Sequence, residues 1–405
     1  MPFRIALSGL NAAAAELRVI GNNVANASTT GFKKARAEFE DIYAVAGLGT
    51  VSEAIGSGVR VAAVRQEFSQ GNITFTSSGL DLAINGKGFF RLDDQGAVVY
   101  SRAGAFGVDR NGYIVNAKGQ RLTGYLADAA GAVTGAIGPL QLDTSNIAPK
   151  ATGEVGVGVN LDAQAAVPPA FDITNPKSYN NSTSLTIYDS LGRPHLATIY
   201  FRKSAPNTWE THLYVDGTEA TPSSSGTITF NTDGSIQSPA NGKVAYDPFP
   251  VAGADDLTLT LDYNGKSPTT QYGSQFGVND LSQDGYTTGR LSGVDISDNG
   301  VVLARFTNGQ SRTLGQVVLA NFANVQGLRQ LGDSSWAESY DSGPPLIGAP
   351  GTSSLGVVQS GALEGSNVDM TAELVNMITA QRNFQANAQI IRTADAITQT
   401  IINIR

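Results

Sequence analysis

The sequence predicts an α+β fold in which two paired, coiled-coil-like terminal helices, running coaxially, flank a mainly β body. Three observations lead there. An apolar row with heptad spacing opens the chain, a similar row closes it, and the long middle is punctuated by tight-turn dipeptides.

At the N-terminus, Phe3, Leu7, Leu10, Ala14, Leu17, Gly21 and Val24 recur at alternating steps of four and three. That is the a/d spacing of a helix with one apolar seam. Ala12 to Ala15 add helix propensity. Asn22, Asn23, Asn26, Ser28, Thr29, Thr30 and Gly31 favour caps and turns, and end the helix. At the other end, Ser366-Asn-Val-Asp369 reads as a helix start of the capping-box type. Met370, Leu374, Met377, Phe384, Ala388 and Ile391 follow at three/four spacing, with polar Gln381 interrupting. Ala394, Ile397 and Ile401 carry the stripe onward.

The middle reads as β. Asn-Gly pairs stand at 85, 111, 241, 264, 299 and 308, and Asp-Gly pairs at 216, 233 and 284. These dipeptides favour tight hairpin turns. Strand-like runs flank them, among them 80–84, 98–100, 185–188, 197–201, 257–261, 301–306 and 317–319. Glycine-, serine- and proline-rich connectors over roughly 27–76 (with Gly47, Gly49, Gly56 and Gly58) and 339–365 separate the ends from the body. If the end helices pair, the body is a nested insertion with both termini together.

Ordering a helix of about 24 residues costs more conformational entropy than one seam containing an alanine and a glycine returns. Val19, Ile20, Val375 and Ile378 lie off the seams and ask for further apolar neighbours. Other chains can supply them, so the ends point to polymerisation. An intramolecular helix hairpin packed on the β body is the plainer alternative.

Composition excludes several classes. The chain has 405 residues, 41% hydrophobic, with a formal net charge of −8 and no cysteine. An acidic chain without basic clusters is a poor nucleic-acid binder. Without cysteine there are no disulfides, thiolate metal sites or thiol nucleophiles. Residues 1–10 lack the pattern of a cleaved signal peptide. No apolar run approaches the roughly 18 residues that cross a bilayer, so no membrane insertion is expected. His195 and His212 lack metal-ligand spacing and read as surface or loop residues. Asp93-Asp94 and Asp255-Asp256 read as solvated turn acids. Gly156-Val-Gly158 and Asn85-Gly-Lys-Gly88 read as turns. Trp209 reads as core. No catalytic residue, cofactor or metal is expected.

Several motifs carry a family resemblance. Leu10-Asn-Ala-Ala-Ala, Ile20-Gly-Asn-Asn-Val-Ala-Asn26 and Thr30-Gly-Phe-Lys33 resemble the N-terminal signature of the flagellar rod and hook family. Within it stand Asn22, Asn23, Asn26, Gly31 and Phe32. Ser366-Asn-Val-Asp369, Glu373-Leu-Val, Met377-Ile-Thr-Ala-Gln-Arg382 and Phe384-Gln-Ala-Asn387 resemble the matching C-terminal signature. Asp81-Leu-Ala-Ile-Asn-Gly-Lys-Gly-Phe-Phe90 and Tyr100-Ser-Arg-Ala-Gly-Ala-Phe106 are similar to the family's shared β domain. Length, Leu185-Thr-Ile-Tyr-Asp-Ser-Leu-Gly192 and Gln283-Asp-Gly-Tyr-Thr-Thr-Gly-Arg290 with Leu314-Gly-Gln-Val317-Val318 resemble the hook branch more than the rod branch.

The resemblance implies paired helices over 1–28 and 366–405 forming an inner tube. It implies extended connectors over 29–76 and 339–365, and two nested β domains: an inner one over 77–147 with 281–338, and an outer one over 148–280. The implied function is a self-assembling subunit of the flagellar hook, a curved tube passing torque from rod to filament. Its helix interface would use Leu7, Leu10, Leu17 and Val24 facing Leu374, Met377, Phe384 and Ile391. The implied partners are other copies, the distal rod subunit, the hook cap, the hook–filament junction protein and the flagellar type III export gate. The implied location is the flagellum outside the cell. Phe3-Arg-Ile-Ala-Leu7 resembles the Phe-x-x-x-hydrophobic export-gate motif, although Phe3 and Leu7 are equally seam residues. The cysteine-derived cross-link of some hook proteins is excluded here. The competing readings are a distal rod subunit and a secreted β-rich adhesin.

Overall fold

The computed structural model describes residues 2–42, 56–128, 131–143 and 145–403. Gly47, Gly49 and the side chain of Ile401, named above, lie outside the described residues. Two helices bracket a long series of strands: α1, Pro2–Ala25, and α2, Met370–Asn403. The chain divides into two compact units. One comprises 1–143, 293–305 and 311–405; the other comprises 144–292 and 306–310.

Within the first unit, α2 begins where Asp369 caps it. The Asp369 carboxylate accepts from the backbone amides of Thr371 at 2.9 Å and Ala372 at 3.1 Å. Glu373 in the first turn complements the positive end of the helix dipole. α1 ends where the Asn22 carbonyl accepts from both the backbone and the side chain of Asn26.

The stretches expected as extended connectors hold strands. Ala35–Asp41 (β1) and Val59–Gln66 (β2) form an antiparallel hairpin that packs along α1. Its strands alternate in part between small or apolar and charged residues, as in Ala35-Arg-Ala-Glu38 and Val59-Arg-Val61; Ala35, Ala37, Val59 and Ala63 are half-buried, and Phe39, Val61 and Val64 are exposed. Charge pairs such as Arg65–Glu38 and Arg60–Glu40 cross the hairpin. Ile73–Phe75 (β3) pairs with the strand Ala362–Glu364, and Leu82–Asn85 (β4) with Val357–Ser360. The C-terminal connector thus supplies partners to N-terminal strands.

Phe89–Asp94 (β5) and Ala97–Ser101 (β6) form a hairpin inside a larger antiparallel sheet. Its core gathers Leu82, Ile84, Phe90, Leu92, Ile114, Leu122, Val302, Val317 and Leu319. An adjoining aromatic cluster holds Phe89, Tyr100, Phe322 and Trp336 in edge-on contacts.

The second unit has its own core between two sheets. One is antiparallel, built on Asn181–Tyr188, Pro194–Ala205 and Thr208–Val215. The other is mixed, centred on Glu154–Asp162, which runs parallel to Thr260–Asp262 and Thr270–Tyr272. Trp209 is fully buried and its indole donates to Gln271 Oε1 at 3.0 Å. The predicted Asp-Gly turn at 216 is present. Asp216 and Gly217 both adopt positive φ, at 48° and 82°, joining Thr208–Val215 to Thr218–Ala220.

His195 and His212 sit on strands, not loops. His195 Nδ1 lies 2.6 Å from Asp216 Oδ2, and the His212 ring stacks on Phe171 with centroids 3.8 Å apart. Strand alternation turns both rings toward the sheet face, where neighbouring side chains cover them. Among the described residues, no cluster of three or more His, Asp or Glu side chains could hold a metal ion. No helix among them is long and apolar enough to cross a membrane.

Candidate assembly site at the paired terminal helices

α1 and α2 pack together in antiparallel fashion. Two contacts fix the register. A side chain at Gly9 would meet the Asn387 amide, its Cβ falling 2.6 Å from Oδ1. Asn23 Nδ2 donates to Glu373 Oε2 at 3.2 Å. Moving from Gly9 to Asn23 on α1 thus corresponds to moving from Asn387 back to Glu373 on α2.

The row on α1 that meets α2 contains Gly9 and Asn23, with buried Ala6, Ala13 and Ile20 continuing its three/four spacing. On α2 the covered row is Glu373, Met377, Ala380, Phe384, Asn387, Ile391 and Ala394, between exposed neighbours. Small residues on α1 let the backbones approach closely where they face Phe384 and Asn387.

This row differs from the expected facing row. Met377, Phe384 and Ile391 lie on the covered side of α2, and Leu10, Leu17 and Val24 are half-buried on α1. Leu7, however, is 40% exposed and Leu374 is 46% exposed. On α1 the seam frame sits one residue earlier, at Ala6, Gly9, Ala13, Ile20 and Asn23, whereas on α2 the seam keeps Met377, Phe384 and Ile391 and takes Glu373, Ala380 and Asn387 beside them. Apolar spacing alone does not distinguish adjacent frames when polar Asn23, Glu373 and Asn387 take seam positions. The hairpin β1–β2 also claims a face of α1. There, Ser8 Oγ accepts from the Val59 amide at 3.1 Å.

Beyond the seam, apolar side chains stand in water along α2. Val375 is 58% exposed and Ile378 is 50% exposed, and Ile390 and Ile397 continue the exposure. Phe3 is exposed and, with Ala386, Ile390, Ala394 and Ile397, lines an apolar cleft of about 680 Å³.

The signature asparagines have separate duties. Asn22 is exposed and Asn26 closes α1. Asn23 is buried and clamps β1. Its Oδ1 accepts from the Ala35 amide at 2.9 Å and its Nδ2 donates to the Ala35 carbonyl at 2.8 Å. Gly31 has φ +68°, and a Cβ there would fall 2.4 Å from the Ala103 amide nitrogen, so only glycine fits. Phe32 is buried beside it.

Three residues given no role above meet in a buried cluster. Glu364 lies 2.6 Å from Lys33 Nζ and 3.1 Å from Arg102 Nη1. Burial pushes the Lys33 ammonium below its ordinary value, and Arg102 adds repulsion, while Glu364 opposes both effects. Burial also lowers Arg102, again against the pull of Glu364. Lys33 and Arg102 belong to quoted motifs, but Glu364 stands in a polar connector and carries no sequence signal of burial.

The comparisons with known proteins agree with this arrangement. Four family descriptions match: "Flagella basal body rod protein" over 3–33, "Flagellar hook protein FlgE/F/G D1 domain" over 83–188, "Flagellar basal body protein FlaE D2 domain" over 160–286, and "Flagellar basal body rod FlgEFG protein C-terminal" over 359–404. The flagellar hook protein FlgE of Salmonella typhimurium is 41% identical over the whole of both chains. That of Borreliella burgdorferi is 31% identical over 98% of each. The crystal structure of Helicobacter pylori hook protein FlgE2 superposes with a TM-score of 0.52 at 16% identity, covering 72% of this chain and all of that one, a likeness of fold. With end helices, β domains and full-length identity all in agreement, the chain belongs to the flagellar hook protein FlgE family.

Proposed function

We propose that the chain is a structural, non-enzymatic subunit that polymerises with copies of itself into the flagellar hook, the curved tube that passes torque from rod to filament. The carrying observation is the set of apolar side chains left in water on the helix pair, led by Leu374, Val375 and Ile378. Scattered exposed apolar residues are ordinary, whereas clusters on the helices, Met370, Leu374, Val375 and Ile378 at one end of α2 and Phe3 with Ile390 and Ile397 at the other, mark interaction faces. α1 divides its surface between α2 and the β1–β2 hairpin. α2 has no second extensive neighbour among the described residues. Further copies supply it.

In this reading Leu7, Leu10, Leu17 and Val24 with Leu374, Met377, Phe384 and Ile391 form the helix interface, some within the subunit and some between subunits. The helices line the inner tube, and the unit over 144–292 and 306–310 is the outer domain. The distal rod subunit, hook cap and hook–filament junction protein are the axial neighbours. Phe3 and Leu7, both exposed, meet the type III export gate before assembly. The subunit works in the flagellum outside the cell, which it reaches through the flagellar type III export gate. This role calls for no cofactor, nucleic acid or membrane insertion.

Electron microscopy of purified protein at rising concentration tests the reading. Short curved tubes are expected. Straight rods would favour a distal rod subunit, and isolated particles at every concentration would overturn self-assembly.

A further inference from the structure

Lys33, Arg102 and Glu364 are all buried within the first unit, and two of the three are cations. The Glu364 carboxylate accepts from Lys33 Nζ, from Arg102 Nη1 and from the Gly71 amide at 2.9 Å. Lys33 Nζ also donates to the Ser69 carbonyl at 2.7 Å, and Arg102 Nη2 to the Gly86 carbonyl at 2.8 Å. The cluster carries one net positive charge. A buried charge is tolerated only when paired, and two like charges in a dry site repel strongly.

The three charges come from far apart in the chain. Lys33 follows α1 and Arg102 follows β6, while Glu364 is 331 residues beyond the first and 262 beyond the second. The segment carrying Glu364 closes much else nearby. It holds the sheet partners of β3 and β4. The Gly31 amide donates to the Glu364 backbone carbonyl at 2.8 Å, and the Lys34 amide donates to Asn367 Oδ1 at 2.8 Å.

We propose that Glu364 is a charge latch: the segment after α1 and the turn that leaves β6 at Arg102 close on each other only when the C-terminal segment delivers this carboxylate. Until then Lys33 and Arg102 oppose closure, since burying both would leave two uncompensated cations side by side. The latch adjoins the helix pair, because Gly31 and Lys34 lead directly out of α1. It therefore makes an ordered α1–α2 pair contingent on a complete chain, and holds an incomplete one open. The link to assembly rests on the self-assembly reading above. The closure step does not.

Hydrogen exchange on dilute full-length protein tests the latch without requiring any polymer. Glu364→Gln keeps the shape and raises the buried charge to two cations. Amides over 31–34 and 362–367 are expected to exchange at least about tenfold faster, with 154–162 unchanged. The double variant Lys33→Met with Glu364→Gln restores a single net charge. Its exchange is expected to return to within about threefold of the native chain, because net charge is what the latch balances. Unchanged exchange in Glu364→Gln overturns the proposal. A double variant as open as the single one also overturns it, since shape or hydrogen bonding would then hold the site.

Discussion

The side-chain amide of Asn23 on α1 donates to the Glu373 carboxylate on α2 at 3.2 Å, a buried pair spanning 350 residues of sequence. Asn23 also exchanges two hydrogen bonds with the backbone of Ala35, so one side chain fixes α1, α2 and β1 together. Asn23→Ala leaves a buried carboxylate and two backbone groups without partners. The first unit should lose about 2–4 kcal/mol, read from urea unfolding followed by helix circular dichroism. An unchanged midpoint would show that water replaces Asn23 without loss.

Gly9 faces the Asn387 side chain at a distance no Cβ tolerates. The obstacle is the end of a flexible side chain, so Gly9→Ala should cost little once Asn387 rotates. Gly9→Leu has no such remedy and should force the helices apart at that level. Its helix signal should melt earlier by roughly 1–3 kcal/mol while the second unit melts as before. Equal stability of the Leu and Ala variants would refute the close approach.

The element types at both ends were readable because three/four apolar spacing is a local pattern. The β character of the middle was readable because Asn-Gly and Asp-Gly encode turns, as at Asp216-Gly217. The seam frame of α1 was not readable, because Asn23 and Glu373 hold seam positions by pairing with each other across the chain and Asn387 by packing against Gly9, which local pattern does not report. The β1–β2 hairpin left a trace in the alternation of Val59-Arg-Val61, but the glycines around it outweighed two short strands. Glu364 left none. A lone acid in a polar connector looks solvated until Lys33 and Arg102 are brought to it.

Acid should weaken the second unit through Asp189. Burial pushes its carboxyl up, but the Arg193 amide and guanidinium, His195 and the Leu191 amide outweigh that and hold it at about 2, below the ordinary 3.8. The unfolded chain therefore binds the proton first as pH falls. The stabilisation is complete above an ordinary carboxyl pKa and is lost as pH drops from about 4 to about 2. Asp189→Asn should be less stable at neutral pH and lack this part of the acid dependence. A native and a variant chain losing stability in parallel over that window would exclude Asp189 as the cause.

The outer stripe of α2 should matter to assembly and hardly to folding. Val375 and Ile378 are more than half or about half exposed, at 58% and 50%, so Val375→Asp and Ile378→Asp remove little intramolecular packing. Monomer stability should stay within about 0.5 kcal/mol of the native value. Polymerisation, followed by sedimentation, should fail, because each carboxylate would be buried unpaired between copies. Normal sedimentation of both variants would move the interface elsewhere.

The second unit should be removable without destroying the polymer. It has its own core around Trp209, Phe201, Val157 and Leu261, and the main chain enters at 144 and leaves at 292. The helix pair, the latch and the sheet containing β5 and β6 all lie in the first unit. A tube that bends as it turns must let subunits shift against one another, and tightly packed apolar interfaces resist such sliding. Polar surfaces bridged by water exchange partners more readily. Many exposed positions of the second unit, such as Asp172, Thr174, Asn175, Asp233 and Asn241, are of that polar kind, with single apolar residues such as Val167, Leu191 and Leu196 among them. Replacing 144–292 with a short Gly/Ser linker should therefore leave polymerisation intact, straighten the tube and impair motility. Imaging of tubes from this deletion decides the matter. Normally curved tubes would show that the second unit does not set curvature, and loss of all assembly would show that it belongs to the structural core.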